Sequence, residues 1–331
     1  MSHSAESAGA RPPLEGDRRL GGEPPRVVWP TLGVSTGVFA RFPDRAGPEA
    51  VAAAMQALTA EVDVFEVLMF GHGHWKDPLQ AARTLAAGRP RVAVVHAEKR
   101  CGGLLGASDP AERRRGQDLV LQACDAASIL GAESVTIHLW DLPDSDRCLQ
   151  RNLAALEAVL PEVWGRNLRL LVEMIPCQQG LPWENVDLAL DAAAALAGRC
   201  GRATTAGPSL GVTLDLEFVA WHDGIDPVLS RWLPRRASAV GNVHVKDYDG
   251  QPFAADGRRR YVNPGDGGLD FPRIFRALRD AGYGGALVFE GNATRAGSGS
   301  GSDVLAATAG YLRRLRQWRA TVWGGCPSEG G

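Results

Sequence analysis

Four polar residues close four successive short apolar runs: Glu173 in LRLLVEM, Asp215 in LGVTLD, His244 in VGNVHVKD and Glu290 in GALVFEG. A parallel strand in an α/β protein is normally apolar on both faces. A ligand-type side chain at the carboxyl end of each of several such strands therefore points into one shared mouth. Three carboxylates and an imidazole meeting there repel one another unless a cation or protons hold them together. The donor set suits one hard or borderline divalent cation, and Mn2+, Mg2+, Co2+ and Zn2+ all fit it. Taken singly, a glutamate after a strand is commonly a helix cap, and a buried histidine is commonly structural. Four in series weaken both of those readings.

The elements that must position these residues follow from the rhythm of the chain. Strands are expected near 27–34, 63–69, 91–96, 134–139, 168–173, 210–215, 240–245 and 285–290. Helices are expected near 47–60, 77–87, 110–130, 146–160, 185–198, 225–236, 270–281 and 303–320. Gly131, Gly198 and Gly282 sit where helices should stop. Eight strand–helix units without a break in composition predict a single-domain α/β fold, a (β/α)8 TIM barrel. No glycine-rich phosphate fingerprint follows the first strand, which argues against a dinucleotide-binding sheet. Pro30 interrupts that first strand. The barrel is expected over 26–322, after a disordered leader at 1–25 and before a flexible tail at 323–331.

The 331 residues are 45% hydrophobic and 22% charged, with a formal net charge of -2. Such a balance lacks the basic footprint of a nucleic-acid binder. Arg113, Arg114 and Arg115 read as the solvated face of a helix. Six scattered cysteines form neither a disulfide framework nor a zinc-finger spacing. No apolar run reaches the roughly 18 residues of a membrane span, and no signal core opens the chain, so a cytoplasmic enzyme is expected.

LLVEMIP, LGVTLD, VHVKD and NPGDGGLDFPRIFRALRDAGYGGALVFE together resemble successive landmarks of the xylose isomerase-like TIM barrel superfamily, over roughly 170–292. That superfamily holds sugar epimerases, inosose dehydratases and metal-dependent abasic-site endonucleases. For the epimerase type the resemblance implies one divalent metal held by Glu173, Asp215, His244 and Glu290. It also implies that Glu173 and Glu290 move a proton through an enediolate, on a sugar, keto-sugar or cyclitol. Lys246 shares a strand face with His244 and is expected at the mouth as an acid or as a contact to substrate oxygen. A lysine there keeps an eliminating lyase of the inosose dehydratase type as the alternative, and a non-catalytic barrel subunit as a further one. Asp247 is expected to support a ligand imidazole. The endonuclease branch needs a histidine three residues after Asp215; Phe218 stands there and His222 is out of step.

Glu66, His96, His138, Trp140 and Trp183 are expected to contact the small sugar-like substrate, with Trp75 and Trp221 as further aromatic walls. Glu66 is also placed to close a buried hydrogen-bond network. His72 and His74 form a weak metal pair, and Cys177 reads as a bystander. The polar stretch 247–267, with Ala255, Asp256 and Gly257 at its tip, is expected to form a small hairpin or lid over the mouth. A Gly/Ser-rich loop follows Glu290. Barrels of this type often pair through helical faces, so a homo-oligomer is compatible with the sequence.

Overall fold

Eight parallel strands close in chain order into one barrel: β1 Thr31–Ser35, β2 Val64–Leu68, β3 Val92–His96, β4 Ser134–Ile137, β5 Arg169–Met174, β6 Gly211–Asp215, β7 Val240–Val245 and β8 Ala286–Phe289. β8 returns to β1 through Leu32↔Leu287 and Val34↔Phe289, so no edge is left open. The computed structural model describes residues 28–39, 46–69, 75–141, 148–202, 210–222, 224–291 and 301–324. The leader expected at 1–25 and positions 325–331 of the expected tail lie outside them.

The long helices begin where local chemistry favours them. Proline opens α1 (Pro48–Leu58), α2 (Pro78–Ala86), α4 (Pro110–Leu130) and α6 (Pro182–Arg199), at a position where its missing N–H costs no hydrogen bond. Asp77 and Asp109 accept the free amides at the starts of α2 and α4, and Gly131 ends α4 at φ 69°. α5 spans Leu149–Gly165. α10 (Phe271–Asp280) is capped by Asp270, and α11 (Gly301–Trp323) packs beside it. Arg319 of α11 donates to the Pro30 carbonyl and to Asp63, while Asp63 also accepts the Leu32 amide, so the last helix is tied to the first two strands.

Side chains pointing into the barrel change character with height. The lower end holds a small apolar cluster of Val64, Ala286 and Val288 with Ala93. There Arg169 donates to the Ser238 and Ala239 carbonyls. A Cβ on Gly211 would stand 2.5 Å from Leu171 and 2.6 Å from Arg169 Nε, so glycine is what lets this plug fit. Above it the Thr136 and Thr213 hydroxyls pair at 2.7 Å. The upper layer is ionisable.

The structure departs from the sequence expectation in three places. β1 starts at Thr31, directly after Pro30. The helix expected over 225–236 is broken into α8 (Ile225–Pro227), a π turn (Val228–Trp232) and α9 (Leu233–Arg236). Pro234 has no N–H to give the preceding turn, and the Leu233 amide reaches back to Val228 instead. Two short helices were not anticipated: α3 (Cys101–Leu105) after β3 and α7 (Leu216–His222) after β6. The 247–267 stretch forms the small hairpin, with Asp247 opposite Val262 and Phe253 opposite Arg259. Among the described residues no helix is long and apolar enough to cross a membrane.

Candidate metal centre

Glu173, Asp215, His244 and Glu290 come together at the upper end of the barrel. One ligand atom from each lies within 4.8 Å of all the others, and all four residues are buried. Strand register produces this: Asp215 pairs with His244 across β6 and β7, and Glu290 follows directly on β8. His244 Nδ1 lies 2.8 Å from Glu173 Oε1, 3.1 Å from Glu290 Oε2 and 3.6 Å from Asp215 Oδ2.

The other imidazole nitrogen fixes the ring. A carboxylate only accepts, so His244 Nε2 carries hydrogen and donates to Glu66 Oε2 at 2.8 Å. Glu66 Oε2 also accepts from the Asn242 amide at 2.9 Å. Glu66 is fully buried beneath the imidazole. It thus takes the supporting place expected of Asp247. Asp247 instead accepts the amides of Tyr248, Gly265, Gly267 and Leu269, which folds the NPGDGG turn over its carboxylate.

A second group shares Glu173. Glu173 Oε2 is 3.0 Å from His96 Nε2 and 2.7 Å from His138 Nε2, and these three residues are the other set able to hold an ion among the described residues. His96 Nδ1 donates to the Ala97 carbonyl at 2.7 Å, which fixes the ring with Nε2 towards Glu173. His138 Nε2 is buried and makes no hydrogen bond. Neither His222 nor Phe218 belongs to either set, and His72 and His74 lie outside the described residues.

Two lysines grip Glu290. Lys246 Nζ is 2.9 Å from Oε2 and Lys99 Nζ is 3.2 Å from Oε1. Lys246 also stands 2.5 Å from Asp215 Oδ2, out of line for a hydrogen bond, and its ammonium sits over the Phe218 ring. Glu217, buried on α7, accepts from Arg259 of the hairpin at 2.8 Å. Lys99, Glu217 and Arg259 were not anticipated.

Burial opposes every charge here, and the partners decide the outcome. Burial raises Glu173, but His244 and His138 outweigh it and hold the carboxyl well below its usual range. Glu290 is held well below by Lys246 and Lys99 against the same penalty. Burial would lower His244, yet Glu66, Glu290 and Glu173 raise it well above an ordinary imidazole. His138 is lowered by burial, which its Glu173 contact does not overcome. Burial pushes Glu217 up to about 7, against the pull of Lys246.

The residues fit a divalent ion on two counts. Asp215 Oδ2 is buried without a hydrogen bond. The carboxylates of Glu66, Glu173, Asp215 and Glu290 outnumber the Lys99 and Lys246 ammoniums among them, and a divalent ion would supply the positive charge that the His244 proton otherwise provides.

The tryptophans expected on the rim differ in their exposure. Trp140 is fully buried and donates to the Pro176 carbonyl; Trp75 is buried; Trp183 is half-buried against the core. Trp221 meets an exposed ring, Phe253 at 5.7 Å. Cys177 Sγ lies against the Gly180 carbonyl.

A closed eight-stranded barrel with acidic and histidine ligands at the carboxyl ends of its strands defines a metal-site TIM barrel. The chain belongs to the xylose isomerase-like TIM barrel family, whose model matches residues 55–315. No curated protein sequence matches it significantly. Among solved structures it is similar to a D-tagatose 3-epimerase-like protein, at 17% identity over 88% of this chain and 98% of that one, TM-score 0.61. An L-ribulose 3-epimerase aligns at 16% identity over 88% and 95%, TM-score 0.62. The 3-keto-D-glucoside 4-epimerase from E. coli aligns at 15% over 86% and 99%, TM-score 0.58. At such identities the likeness is one of fold.

Proposed function

We propose that the protein is a divalent-metal-dependent isomerase or epimerase of a sugar, keto-sugar or cyclitol, working through an enediolate. The observation that carries this reading is the convergence of Glu173, Asp215, His244 and Glu290 within 4.8 Å at one buried end of the barrel. Glu173, Asp215, His244 and Glu290 would hold the ion, which would supply a Lewis acid for the substrate carbonyl oxygen. Glu173 and Glu290 act as the proton-moving pair. Each has one oxygen beside His244 and the other turned to a second group: Glu173 Oε2 to His96 and His138, Glu290 Oε1 to Lys99. His96 and His138 are suited to relaying a proton with Glu173, and the Lys99 ammonium, already protonated, to donating to a substrate oxygen beside Glu290. The similarity to the D-tagatose 3-epimerase-like and L-ribulose 3-epimerase structures supports the substrate class, and Mn2+ is our first choice of ion. The free thiols of the five described cysteines suit the cytoplasm.

Lys246 at the mouth favours elimination as the second reading, since an ammonium beside the enediolate could protonate a leaving hydroxyl. The test is a screen of keto-sugars and inososes in heavy water with the Mn2+-loaded protein. Exchange of a carbon-bound hydrogen with epimer formed supports isomerisation, and exchange with loss of water supports the lyase. Full activity in Glu173→Gln and Glu290→Gln would end the two-glutamate mechanism.

A further inference from the structure

Lys246 and a divalent ion want the same oxygens. The ammonium stands 2.5 Å from Asp215 Oδ2 and 2.9 Å from Glu290 Oε2, and both residues are candidate ligands. Two cations a few ångströms apart in a buried site repel strongly. Retreat to solvent is not open to Lys246: it is 1% exposed and lies 4.6 Å over the Phe218 ring. A buried ammonium stripped of its partners would hold the ion off.

We propose that Glu217 is the positioning residue that receives Lys246 when an ion takes Asp215 and Glu290. The proposal rests on the metal-site reading above. Glu217 Oε2 is buried, makes no hydrogen bond and lies 3.8 Å from Lys246 Nζ. That is too long for a hydrogen bond, and a shift of about 1 Å by the flexible lysine brings it to a charge-assisted one. The other oxygen of Glu217 is already held by Arg259 Nη2 at 2.8 Å. Arg259 is itself fixed: Nη1 donates to the Pro252 carbonyl, and the rings of Phe218, Trp221, Phe253 and Tyr261 surround its guanidinium. The hairpin therefore presents a carboxylate with one oxygen anchored and one in reserve. Ion binding and the seating of Lys246 become one event, which leaves the ammonium at the wall of the site facing Phe218.

A double-mutant cycle on ion binding tests this without reference to turnover. Mn2+ affinity is measured by titration calorimetry on the full chain, on Glu217→Gln, on Lys246→Met and on the double variant. Glu217→Gln is expected to weaken Mn2+ binding about tenfold, because Lys246 then has nowhere to go. Lys246→Met is expected to bind at least as tightly as the unaltered chain. In the Lys246→Met background, Glu217→Gln should change affinity by less than about twofold. An equal loss in both backgrounds, or no loss in the first, overturns the proposal. Weaker binding by Lys246→Met alone also overturns it, and that variant decides the matter if Glu217→Gln does not fold. Failure of the unaltered chain to bind Mn2+ or Zn2+ would remove the metal reading itself and the proposal with it.

Discussion

Removing the charge beneath His244 should loosen the metal without touching any ligand. In Glu66→Gln the side-chain amide can still offer an oxygen to His244 Nε2, which now lies 2.8 Å from a carboxylate. The imidazole keeps its orientation and loses a neighbour that makes Nδ1 a better donor. Changes to such supporting carboxylates cost about 10–100-fold in metal affinity, and the conservative swap should fall near tenfold, about 1.4 kcal/mol. Glu66→Ala goes further. It deletes the acceptor of both His244 and the buried Asn242 amide, at about 1–3 kcal/mol for each buried group left unsatisfied. It should therefore lose both affinity and stability, and the glutamine variant is the cleaner probe. The assay is Mn2+ calorimetry on the folded variants, read beside the KM for whichever keto-sugar is turned over. Unchanged Mn2+ affinity with a raised KM in Glu66→Gln would mean that Glu66 touches substrate, and would refute the supporting role.

Asp247→Ala should unfold at clearly lower urea concentration, by about 2–4 kcal/mol, since four backbone amides lose one shared acceptor. If the same variant lost metal while keeping its stability, Asp247 would belong to the imidazole after all. Metal affinity should climb as pH rises through neutrality and beyond: His244 must shed its Nδ1 proton to become a ligand, and its carboxylate neighbours hold that proton well above the usual range. Calorimetry in buffers of different ionisation enthalpy should show proton release on Mn2+ binding, and no release would contradict this. Partial burial works against ionised Asp63, but the Leu32 amide and Arg319 outweigh it and hold its carboxyl below the ordinary value. Its contribution to stability is present above the unfolded pKa and lost as pH falls through the lower folded value. Asp63→Asn should accordingly be less stable than the unaltered chain at pH 6, with the gap closing towards pH 3.

The barrel was legible because its strands are short apolar runs closed by polar residues, and because the long helices carry their own caps, as at Asp77, Asp109 and Gly131. The small helices at the mouth were not. α3 reads as a loop because of its two glycines, yet a Cβ on Gly102 would stand 2.4 Å from the Trp140 carbonyl oxygen. The four candidate ligands were readable one strand at a time, each from its own run. Their supporting cast was not, because it depends on long-range pairing. Glu217 and Arg259 are 42 residues apart, and Lys99 and Glu290 are 191 apart. Glu66 was placed on its strand correctly, but the register shift between Phe65 and Glu66 decides which neighbour it meets. Tryptophans after strands were read as walls of the mouth; the structure buries Trp140 fully and ties its indole N–H to the Pro176 carbonyl, a contact no spacing foretells.

The most direct test of the account is the metal content of the purified chain and of His244→Ala, by elemental analysis after reconstitution with Mn2+ under non-chelating conditions. The account predicts one divalent ion per chain, lost in the variant while the circular dichroism of the barrel is retained. No ion in the unaltered chain after reconstitution with Mn2+, Mg2+, Co2+ and Zn2+ in turn, or full occupancy in His244→Ala, would contradict it.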